Sequence, residues 1–435
     1  MNFEESVQYL LGLGHETLAM KLGLKTTELL LESLQHPEQS FKSVQIAGTN
    51  GKGSVSAFLN SICQSANIKT GLYTSPHLSI ITERIKIAGV DIQREEFARQ
   101  IDNVRATAER LVANNELQAL PTFFEQVTVA ALVAFRDANV ELAVLETGLG
   151  GRLDSTTAAR AKLVAITPID LDHEEYLGNT IESIAAEKAA IIRPGVVAVI
   201  AHQPPDAFRV IATACEASGV KPILNQVETR NVRTTSEGSF CVTFQTASDV
   251  YRDVCLALRG RHQVENAGVA IQLAEQLRIK GFAISHKAIV NGIESARHPG
   301  RLELFNHHEP QILLDGAHNP AGARTLNEYL EEFRVRPLVM VFGAMKEKKS
   351  DEIARILFPL ADHVILTTVQ NARSLGLDDL QSLASKARVS ARVFESSQKA
   401  FAQALELAGQ KGMVCVTGSL YLIGELRETI LNLSC

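Results

Sequence analysis

Short runs of apolar residues, each followed by a longer stretch with helical periodicity, recur along the first half of the chain. The runs are almost continuous, whereas a strand with one face in water alternates apolar and polar positions. Continuous runs are typical of parallel strands that are buried on both faces of a sheet. The pattern therefore predicts a doubly wound α/β domain with strands at 43–47, 70–75, 141–146, 162–167 and 196–200.

The pattern changes near residue 225. The segment GSFCVTF at 238–244 alternates apolar and polar residues between turn residues, which predicts an antiparallel excursion. A second series of buried runs follows the Pro299–Gly300 pair, an expected hinge, at 312–315, 338–342, 363–367 and 413–417. We therefore expect two domains. Residues 1–297 should form a P-loop-type doubly wound parallel sheet with the small antiparallel excursion, and residues 298–435 a Rossmann-like α/β domain. Ligands are expected at the carboxyl ends of the strands, between the domains.

Composition narrows the class of protein. A length of 435 residues suggests two or three domains, and a net charge of −6 favours neither nucleic acid nor an anionic membrane as a partner. The first residues, MNFEESVQYLLGLGHE, do not resemble a signal peptide, and no apolar run approaches the roughly 20 residues of a membrane span. We expect a cytoplasmic protein. No CxxC pair is present, so we expect reduced, buried thiols and neither disulfides nor a zinc site at Cys63, Cys215, Cys241, Cys255, Cys415 and Cys435.

The strongest chemical signal is the segment IAGTNGKGS at 46–54, between a predicted strand and a helix-compatible stretch. Its glycines let backbone N–H groups close around phosphate oxygens, the helix N-terminus adds positive potential, and Lys52 supplies a mobile cation. Ser54 can ligate the Mg²⁺ that accompanies ATP. The spacing is not that of a strict Walker A motif, because a glycine stands between Lys52 and Ser54. A plain glycine turn is the alternative, which the order of strand, loop and helix disfavours.

Three further residues are candidates for the same site. Glu146 ends an apolar run, where a carboxylate is costly unless it is paired or bound to a cation, and Mg²⁺ binds through few carboxylates plus water and phosphate. An ion pair with Arg152 is the alternative for Glu146. His173 follows a third strand of the same sheet, which favours a metal ligand over a structural histidine. Lys188, taken alone, resembles an ordinary helix lysine.

Ten stretches extend these motifs over nearly the whole chain: AGTNGKGS (47–54), TSPHL (74–78), TERI (82–85), ETGLGGRLD (146–154), LDHEEYLG (171–178), AAEKAAIIRPG (185–195), RHQVENA (261–267), HPGR (298–301), DGAHNP (315–320) and VTGSLYLIGELR (416–427). In this order they resemble the folylpolyglutamate synthase/dihydrofolate synthase family of the Mur-ligase superfamily. GTNGKGS is common to the superfamily. TSPHL, ETGLGGRLD and the LDH…YLG block indicate the folate branch.

The resemblance implies roles by position. Nucleotide binding would fall to Gly48, Thr49, Asn50, Gly51, Lys52, Gly53, Ser54, Asn266, Arg301, Asp315 and His318. Two Mg²⁺ ions would be held by Ser54, Ser75, Glu146, His173 and Lys188, with Lys188 carbamylated and a monovalent cation as a further candidate. The expected catalytic residues are Lys52, His173 and Lys188. The pterin would be bound by Leu22, Phe124, Arg152, Leu153 and Asp154.

The resemblance also implies a reaction. ATP would convert a folate or pteroate carboxylate into an acyl phosphate, and the amine of L-glutamate would then displace phosphate. Dihydropteroate, tetrahydrofolate, or both would be accepted, with a bifunctional monomer as the expectation. Three departures from the family pattern bear on the carboxylate substrate more than on the chemistry: Ala189 for glycine, 155–157 as STT, and 370–373 as QNAR.

Three other functions are compatible with parts of the sequence. A ligase that adds an amino acid to a peptidoglycan precursor would share the superfamily motifs, but TSPHL and ETGLGGRLD favour folate. A P-loop ATPase or kinase would require a Walker-type spacing and an acceptor other than an amine. A catalytically inactive binding protein is disfavoured by the intact set of Lys52, Glu146, His173 and Lys188.

Overall fold

A computed structural model describes residues 1–14, 23–346 and 348–433 of the chain. The described residues form two compact units. The first comprises residues 1–229, 244–254 and 265–296, and the second comprises 230–243, 255–264 and 297–435. The two-domain α/β class expected from the sequence is confirmed. The division into functional domains at residues 297/298 stays a prediction. Among the described residues, no helix has both the length and the apolarity needed to cross a bilayer.

An eight-stranded sheet forms the centre of the first unit. All five strands predicted for this domain are present, together with three short strands that the sequence pattern did not indicate. The strands are β1 (Lys42–Ala47), β2 (Thr70–Tyr73), β3 (Ile85–Ile87), β4 (Val90–Asp91), β5 (Leu142–Glu146), β6 (Leu163–Ile166), β7 (Val197–Ile200) and β8 (Ile223–Leu224). Their spatial order is β4-β3-β2-β5-β1-β6-β7-β8, and the six strands from β2 to β8 pair in parallel, whereas β3 and β4 pair antiparallel at one edge.

Helices connect and cover these strands. Thr122 begins one of them with a capping box, accepting from the Glu125 N–H while the Glu125 carboxylate accepts from the Thr122 N–H. The two helices that contain Ile62 and Gly292 pack closely because Gly292 lacks a side chain: a Cβ there would lie 2.3 Å from the Cα of Ile62. The helices are α1 (Phe3–Gly12), α2 (Lys25–Ser33), α3 (Lys52–Ser65), α4 (Arg94–Ala113), α5 (Phe123–Asp137), α6 (Glu174–Leu177), α7 (Ile181–Ala189), α8 (Pro205–Ala217), α9 (His262–Ile279) and α10 (His286–Ser295).

The predicted antiparallel excursion is a three-stranded sheet of β9 (Glu228–Thr234), β10 (Phe240–Gln245) and β11 (Val250–Cys255), in the order β11-β10-β9. Its consecutive strands are joined by tight turns, one of which is closed by the Thr246 N–H donating to the Asp249 carbonyl at 3.0 Å. The division between the compact units passes through these strands.

One expectation about the cysteines is wrong. Cys241 and Cys255 form a disulfide, with their Cα atoms 3.9 Å apart and a sequence separation of 14. The two residues lie on successive strands that the tight turn folds back on each other, a proximity that spacing alone did not reveal. The thiols of Cys63, Cys215 and Cys415 are free and buried, as expected.

A six-stranded sheet forms the centre of the second unit. Its strands are β12 (Glu303–Phe305), β13 (Gln311–Asp315), β14 (Leu338–Phe342), β15 (His363–Thr367), β16 (Ala391–Phe394) and β17 (Met413–Thr417), in the order β12-β13-β17-β14-β15-β16. Only β12 pairs antiparallel. Apolar residues of β13, β14, β15 and β17 pack against the helices α11 (Pro320–Phe333), α12 (Ser350–Leu357) and α13 (Leu377–Lys386). The helices α14 (Ser397–Ala408) and α15 (Leu420–Asn432) also contact strands of this sheet.

Candidate active site

The predicted site residues of the first unit follow four neighbouring parallel strands, in the spatial order β2, β5, β1 and β6. Ser75 follows β2, Glu146 ends β5, the glycine-rich turn 48–51 follows β1, and His173 follows β6. The strand ends are level because of the pairs Tyr73 with Leu145, Ile46 with Glu146, and Ala47 with Ile166. Parallel pairing therefore brings all four candidates to one edge of the sheet.

Two glycines of the turn have no room for a side chain. Gly48 has φ 148°, and a Cβ there would lie 1.9 Å from the Thr167 hydroxyl oxygen. Gly51 has φ 86° and caps α3, and its Cβ would lie 2.5 Å from Oδ1 of Asn266. Asn266 is 4% exposed and belongs to the first unit, beside the turn. Glycine is thus required both by conformation and by the close neighbours.

The turn is fastened to the segment that follows β6. The N–H groups of Thr49 and Asn50 donate to the Pro168 carbonyl at 3.0 and 3.2 Å. The Thr49 hydroxyl donates to the Asp170 carbonyl at 3.0 Å and accepts from the Asp170 N–H at 3.1 Å. These bonds hold the turn against the segment that follows β6.

Lys52 and Ser54 stand in the first turn of α3. The Lys52 ammonium folds back onto the glycine-rich turn and donates to the carbonyl oxygens of Gly48 and Thr49, each at 3.1 Å. Ser54 is 5% exposed. A helix N-terminus, a glycine-rich turn and a lysine at the same point suit the binding of phosphate oxygens.

Lys188 reaches the same turn from α7. Its Nζ atom donates to the Gly48 carbonyl at 2.7 Å, although 140 residues separate the two in sequence. The side chain is 4% exposed. Burial, together with the charge of Lys52, lowers the pKa of Lys188 from 10.5 to about 7, while Asp172 and Asp154 act in the opposite direction. The neutral, nucleophilic form of this amine is therefore more accessible than in an ordinary lysine.

The donor set at this edge fits a divalent cation held jointly with a phosphate. Glu146 is 6% exposed at the end of β5, and His173 has φ 52° where it caps α6, with its Nε2 atom 4.0 Å from Asp172. Within residues 1–14, 23–346 and 348–433, no three His, Cys, Asp or Glu side chains gather as a metal cluster. Water, serine hydroxyls and phosphate oxygens would therefore complete the ligand set, which is the mode that Mg²⁺ prefers.

Asp154 organises the loop that follows Glu146. Its Oδ2 atom accepts from the N–H groups of Gly148 and Leu149 at 2.8 and 3.0 Å, and its Oδ1 atom accepts from the Thr156 N–H and hydroxyl at 3.0 and 2.5 Å. Burial raises the pKa of Asp154, and these hydrogen bonds oppose the rise. Both carboxylate oxygens are thus engaged within the loop, so any effect of Asp154 on a substrate would act through loop shape.

Arg152, the alternative partner for Glu146, pairs with a different carboxylate. The Arg152 guanidinium forms an ion pair with Glu187 of α7 at 2.9 Å, and the Arg152 N–H donates to the Glu187 carbonyl. The neighbouring Leu153 is half-buried. The 146–154 loop is therefore held to α7, the helix that carries Lys188.

Phe124 lies against the same loop. The Thr122 cap places it in the first turn of α5, and a Cβ added to Gly148 would lie 2.6 Å from its ring. Its ring centroid is 6.1 Å from that of Tyr73 on β2. The structure thus brings Phe124 and the 146–154 loop together, whereas the predicted pterin contact Leu22 lies outside the described residues.

The TSPHL segment is shaped by two residues to which the sequence assigned no role. The Glu83 carboxylate accepts from the N–H groups of residues 78, 79 and 80 at 2.7 to 3.1 Å. Arg84 is 2% exposed, donates to Nδ1 of His77 at 2.9 Å, and lies over the Phe123 ring. The TERI stretch was the available signal, because two charged residues stand there within an otherwise apolar segment.

The remaining predicted nucleotide residues belong to the second unit. The Asp315 carboxylate ends β13 and accepts from the N–H groups of Leu302 and Ala317 at 2.9 and 3.0 Å. Arg301 donates to the Gly316 carbonyl at 3.2 Å, and Nδ1 of His318 lies 2.8 Å from the same oxygen. Arg301, Asp315 and His318 are therefore brought together around Gly316.

Comparison with known protein families accounts for most of the chain. The Mur ligase middle domain matches residues 46–274, and the Mur ligase glutamate ligase domain matches residues 300–420.

Relatives resemble the chain over its whole length. The dihydrofolate synthase/folylpolyglutamate synthase of Bacillus subtilis is 34% identical over 423 residues, covering 96% of this chain and 97% of its own. Mycobacterium tuberculosis folylpolyglutamate synthase complexed with ADP has a TM-score of 0.91 and 30% identity, covering 98% of each chain. The bifunctional folylpolyglutamate synthase/dihydrofolate synthase of Yersinia pestis complexed with AMPPNP and Mn ion has a TM-score of 0.84 and 27% identity, covering 99% and 98%. The chain therefore belongs to the folylpolyglutamate synthase/dihydrofolate synthase family of Mur ligases.

Proposed function

We propose that this chain is an ATP-dependent ligase that joins L-glutamate to a folate-type carboxylate. The single observation that carries the proposal is the convergence of Lys52 and Lys188 on the glycine-rich turn, at the sheet edge where Glu146 ends β5 and His173 follows β6. The family supports this assignment, since the Bacillus subtilis relative is named for both folate-ligating activities and the Mycobacterium tuberculosis structure holds ADP.

The reaction proceeds in two displacements. A carboxylate oxygen of the folate attacks the γ-phosphorus of ATP, the bond to ADP breaks, and an acyl phosphate forms. The glutamate amine then attacks the acyl carbon, phosphate leaves, and the amine loses a proton to give the amide. The N–H groups at the start of α3 and the Lys52 ammonium stabilise charge on the transferring phosphoryl group. Arg301 would add charge when the nucleotide is bound, and exclusion of water would protect the acyl phosphate from hydrolysis.

The metal ligands are also part of the proposal. Two Mg²⁺ ions would be held by Ser54, Ser75, Glu146, His173 and Lys188. A monovalent cation would bind at the same site. Bound Mg²⁺ would neutralise phosphate charge and orient the γ-phosphate. The neutral Lys188 amine would add to carbon dioxide, forming an N–C bond and releasing one proton, and the resulting carbamate would be an anionic ligand. Its burial and its place against Gly48 support this modification.

The pterin would lie against Phe124 and the 146–154 loop, with Arg152, Leu153 and Asp154 shaping that pocket. Both dihydropteroate and tetrahydrofolate would be substrates. The first ends in an aminobenzoate carboxylate and the second in a glutamate, so the pterin ring must bind at two depths to present either carboxylate to one phosphate. The protein would act as a monomer.

One experiment tests the proposal. Pure protein is incubated with ATP, Mg²⁺ and L-glutamate, each pterin is offered separately, and the products are identified by mass. Glutamylated products from both pterins, with one ADP released for each amide, are expected. If tetrahydrofolate alone is extended, the enzyme is a folylpolyglutamate synthase only. ADP release without any amide would indicate an ATPase or kinase and overturn the proposal.

A further inference from the structure

A glutamine interrupts the apolar interior beneath the 146–154 loop. Gln45 lies on the central strand β1, is fully buried, and pairs in register with Leu145 of β5 and Val164 of β6. Paired residues of parallel strands point to the same face, so its side chain stands between two apolar neighbours. Burying an amide there costs free energy unless hydrogen bonds compensate it.

The Gln45 amide is tied to the short helical turn Ser155–Ala159. Its Nε2 atom donates to the hydroxyls of Thr156 and Thr157 at 2.9 and 2.7 Å. Each hydroxyl has one hydrogen, which Thr156 gives to Asp154 at 2.5 Å and Thr157 gives to the Gly151 carbonyl at 2.7 Å. The hydroxyls must therefore accept from Gln45, which requires its NH₂ group rather than its carbonyl to face them.

Two branches of hydrogen bonds, one through Thr156 and one through Thr157, run from Gln45 to the two ends of the 148–151 segment. Through Thr156, the first branch reaches Asp154, whose other oxygen accepts from the N–H groups of Gly148 and Leu149. The second branch reaches Gly151 directly. One amide on the central strand thus orients two hydroxyls that hold the segment from 148 to 151, against which Phe124 packs.

We propose that Gln45 is a positioning residue that sets the conformation of the 148–151 segment through Thr156 and Thr157. Its effect on the acceptor rests on the proposed function, because Phe124 and this segment are the proposed pterin-binding surface. Gln45 itself acts only through the two threonines.

Gln100 on α4 provides a matched control. It is 1% exposed, and its Nε2 atom likewise donates twice, to Glu96 and Asp137 at 2.8 Å each. Among the described residues, the Oε1 atoms of both glutamines lack a hydrogen-bond partner. Gln45→Leu and Gln100→Leu therefore make the same chemical change at buried amides. The first amide donates to hydroxyls next to the loop, and the second donates to carboxylates elsewhere.

The first measurement does not depend on activity. Amide hydrogen exchange in the full-length protein should become faster at Gly148, Leu149 and Thr156 in Gln45→Leu, by about tenfold or more, because these N–H groups lose a fixed acceptor. Gln100→Leu should leave the exchange at these three amides unchanged. Equal exchange in Gln45→Leu and the wild type would overturn the inference.

The second measurement is kinetic. Gln45→Leu should raise KM for the pterin substrate by about tenfold while KM for ATP changes less than about twofold, since a displaced loop weakens acceptor binding. Gln45→Met, which has nearly the size of glutamine but no hydrogen-bond donor, should resemble Gln45→Leu. An equal rise in both KM values would indicate general damage and contradict a positioning role. A wild-type protein without ligase activity would instead refute the proposed function, leaving the exchange result to decide the inference.

Thr157→Val and Thr156→Val test the branches separately and serve if Gln45→Leu does not fold. Thr157→Val removes the bond to Gly151 together with one acceptor of the Gln45 amide, and Thr156→Val removes the hydroxyl bond to Asp154 together with the other acceptor. Because Gln45 acts through these hydroxyls, adding Gln45→Leu to the double threonine variant should have little further effect on KM for the pterin. Full additivity of the changes would contradict the proposed route.

Discussion

Lys52 and Lys188 donate to the same oxygen atom, the carbonyl of Gly48, at 3.1 and 2.7 Å. Two ammonium groups that share one acceptor repel each other, and this contributes to the low pKa of Lys188. Lys52 is half-buried on the turn, whereas Lys188 is buried beneath it. The pair therefore divides into a cation placed for phosphate and an amine that can lose its proton.

Replacing Lys188 should have two effects, a loss of ligation and a change in how stability depends on pH. Lys188→Met should abolish ligation, because neither the amine nor a carbamate remains. In metal-free buffer depleted of carbon dioxide, wild-type stability should rise relative to that of the variant as the pH increases from about 7 to about 10.5. In this range the folded protein has lost the Lys188 proton while the unfolded chain still binds it. Urea unfolding at several pH values measures the difference, and a pH-independent difference would contradict the lowered pKa.

Lys52→Ala should reduce kcat by about 10²–10³, because a positive charge is removed from the transferring phosphoryl group. The change should alter thermal stability little, since the Lys52 side chain is half-buried and its ammonium donates to backbone carbonyls of the turn. Single-turnover rates and melting curves provide the two measurements. An unchanged kcat would show that the glycine-rich turn does not bind the reacting phosphate.

Gly51→Ala should weaken ATP binding through Asn266. A Cβ at Gly51 would lie 2.5 Å from the Asn266 side chain, in addition to the strain of a φ of 86°. Gly195 is the matched control, because it has φ 80° with open space around it. Gly195→Ala should lower stability by about 1 kcal/mol and leave the Kd for ATP unchanged. If both variants bind ATP equally well, the close approach of Asn266 to Gly51 does not affect ATP binding.

Reduction of the Cys241–Cys255 disulfide should lower the Tm of the protein. A bridge closing a loop of this length contributes about 3 kcal/mol by restricting the unfolded chain. Melting curves with and without a dithiol reductant measure the effect, and Cys241→Ser should melt like the reduced wild type and ignore the reductant. Alkylation of both cysteines in the unfolded, unreduced protein would show that the bridge is absent.

His262 should make the protein sensitive to acid. Burial, with the charge of Arg301, lowers the pKa of His262 to about 4. Between pH 6.5 and 4 the unfolded chain binds a proton that the folded protein excludes, so stability falls as the pH decreases through this range. The loss at pH 5 should be on the order of 2 kcal/mol, and His262→Gln should remove it. Denaturant unfolding at pH 7.5 and 5 tests this, and equal losses in both proteins would refute it.

Local patterns were sufficient for much of the fold. Runs such as 338–342 and 142–145 are apolar on both faces, which is typical of a strand buried in a parallel sheet, and their short length favours strands over helices. The short strands β3, β8 and β12 were missed because two or three residues have no period to detect. Leu22, predicted from resemblance alone, lies outside the described residues.

The sequence by itself determined the glycine-rich turn, the strand-end candidates and the family, because each depends on residues that are adjacent in the chain. Only the tertiary structure placed Lys188 against Gly48, joined Cys241 to Cys255, and connected Gln45 to Asp154 through Thr156. Local periodicity indicates that a strand is buried but not which strands are its neighbours. The order β2-β5-β1-β6 and the packing of α7 follow from long-range pairing, and that pairing decides which distant side chains meet.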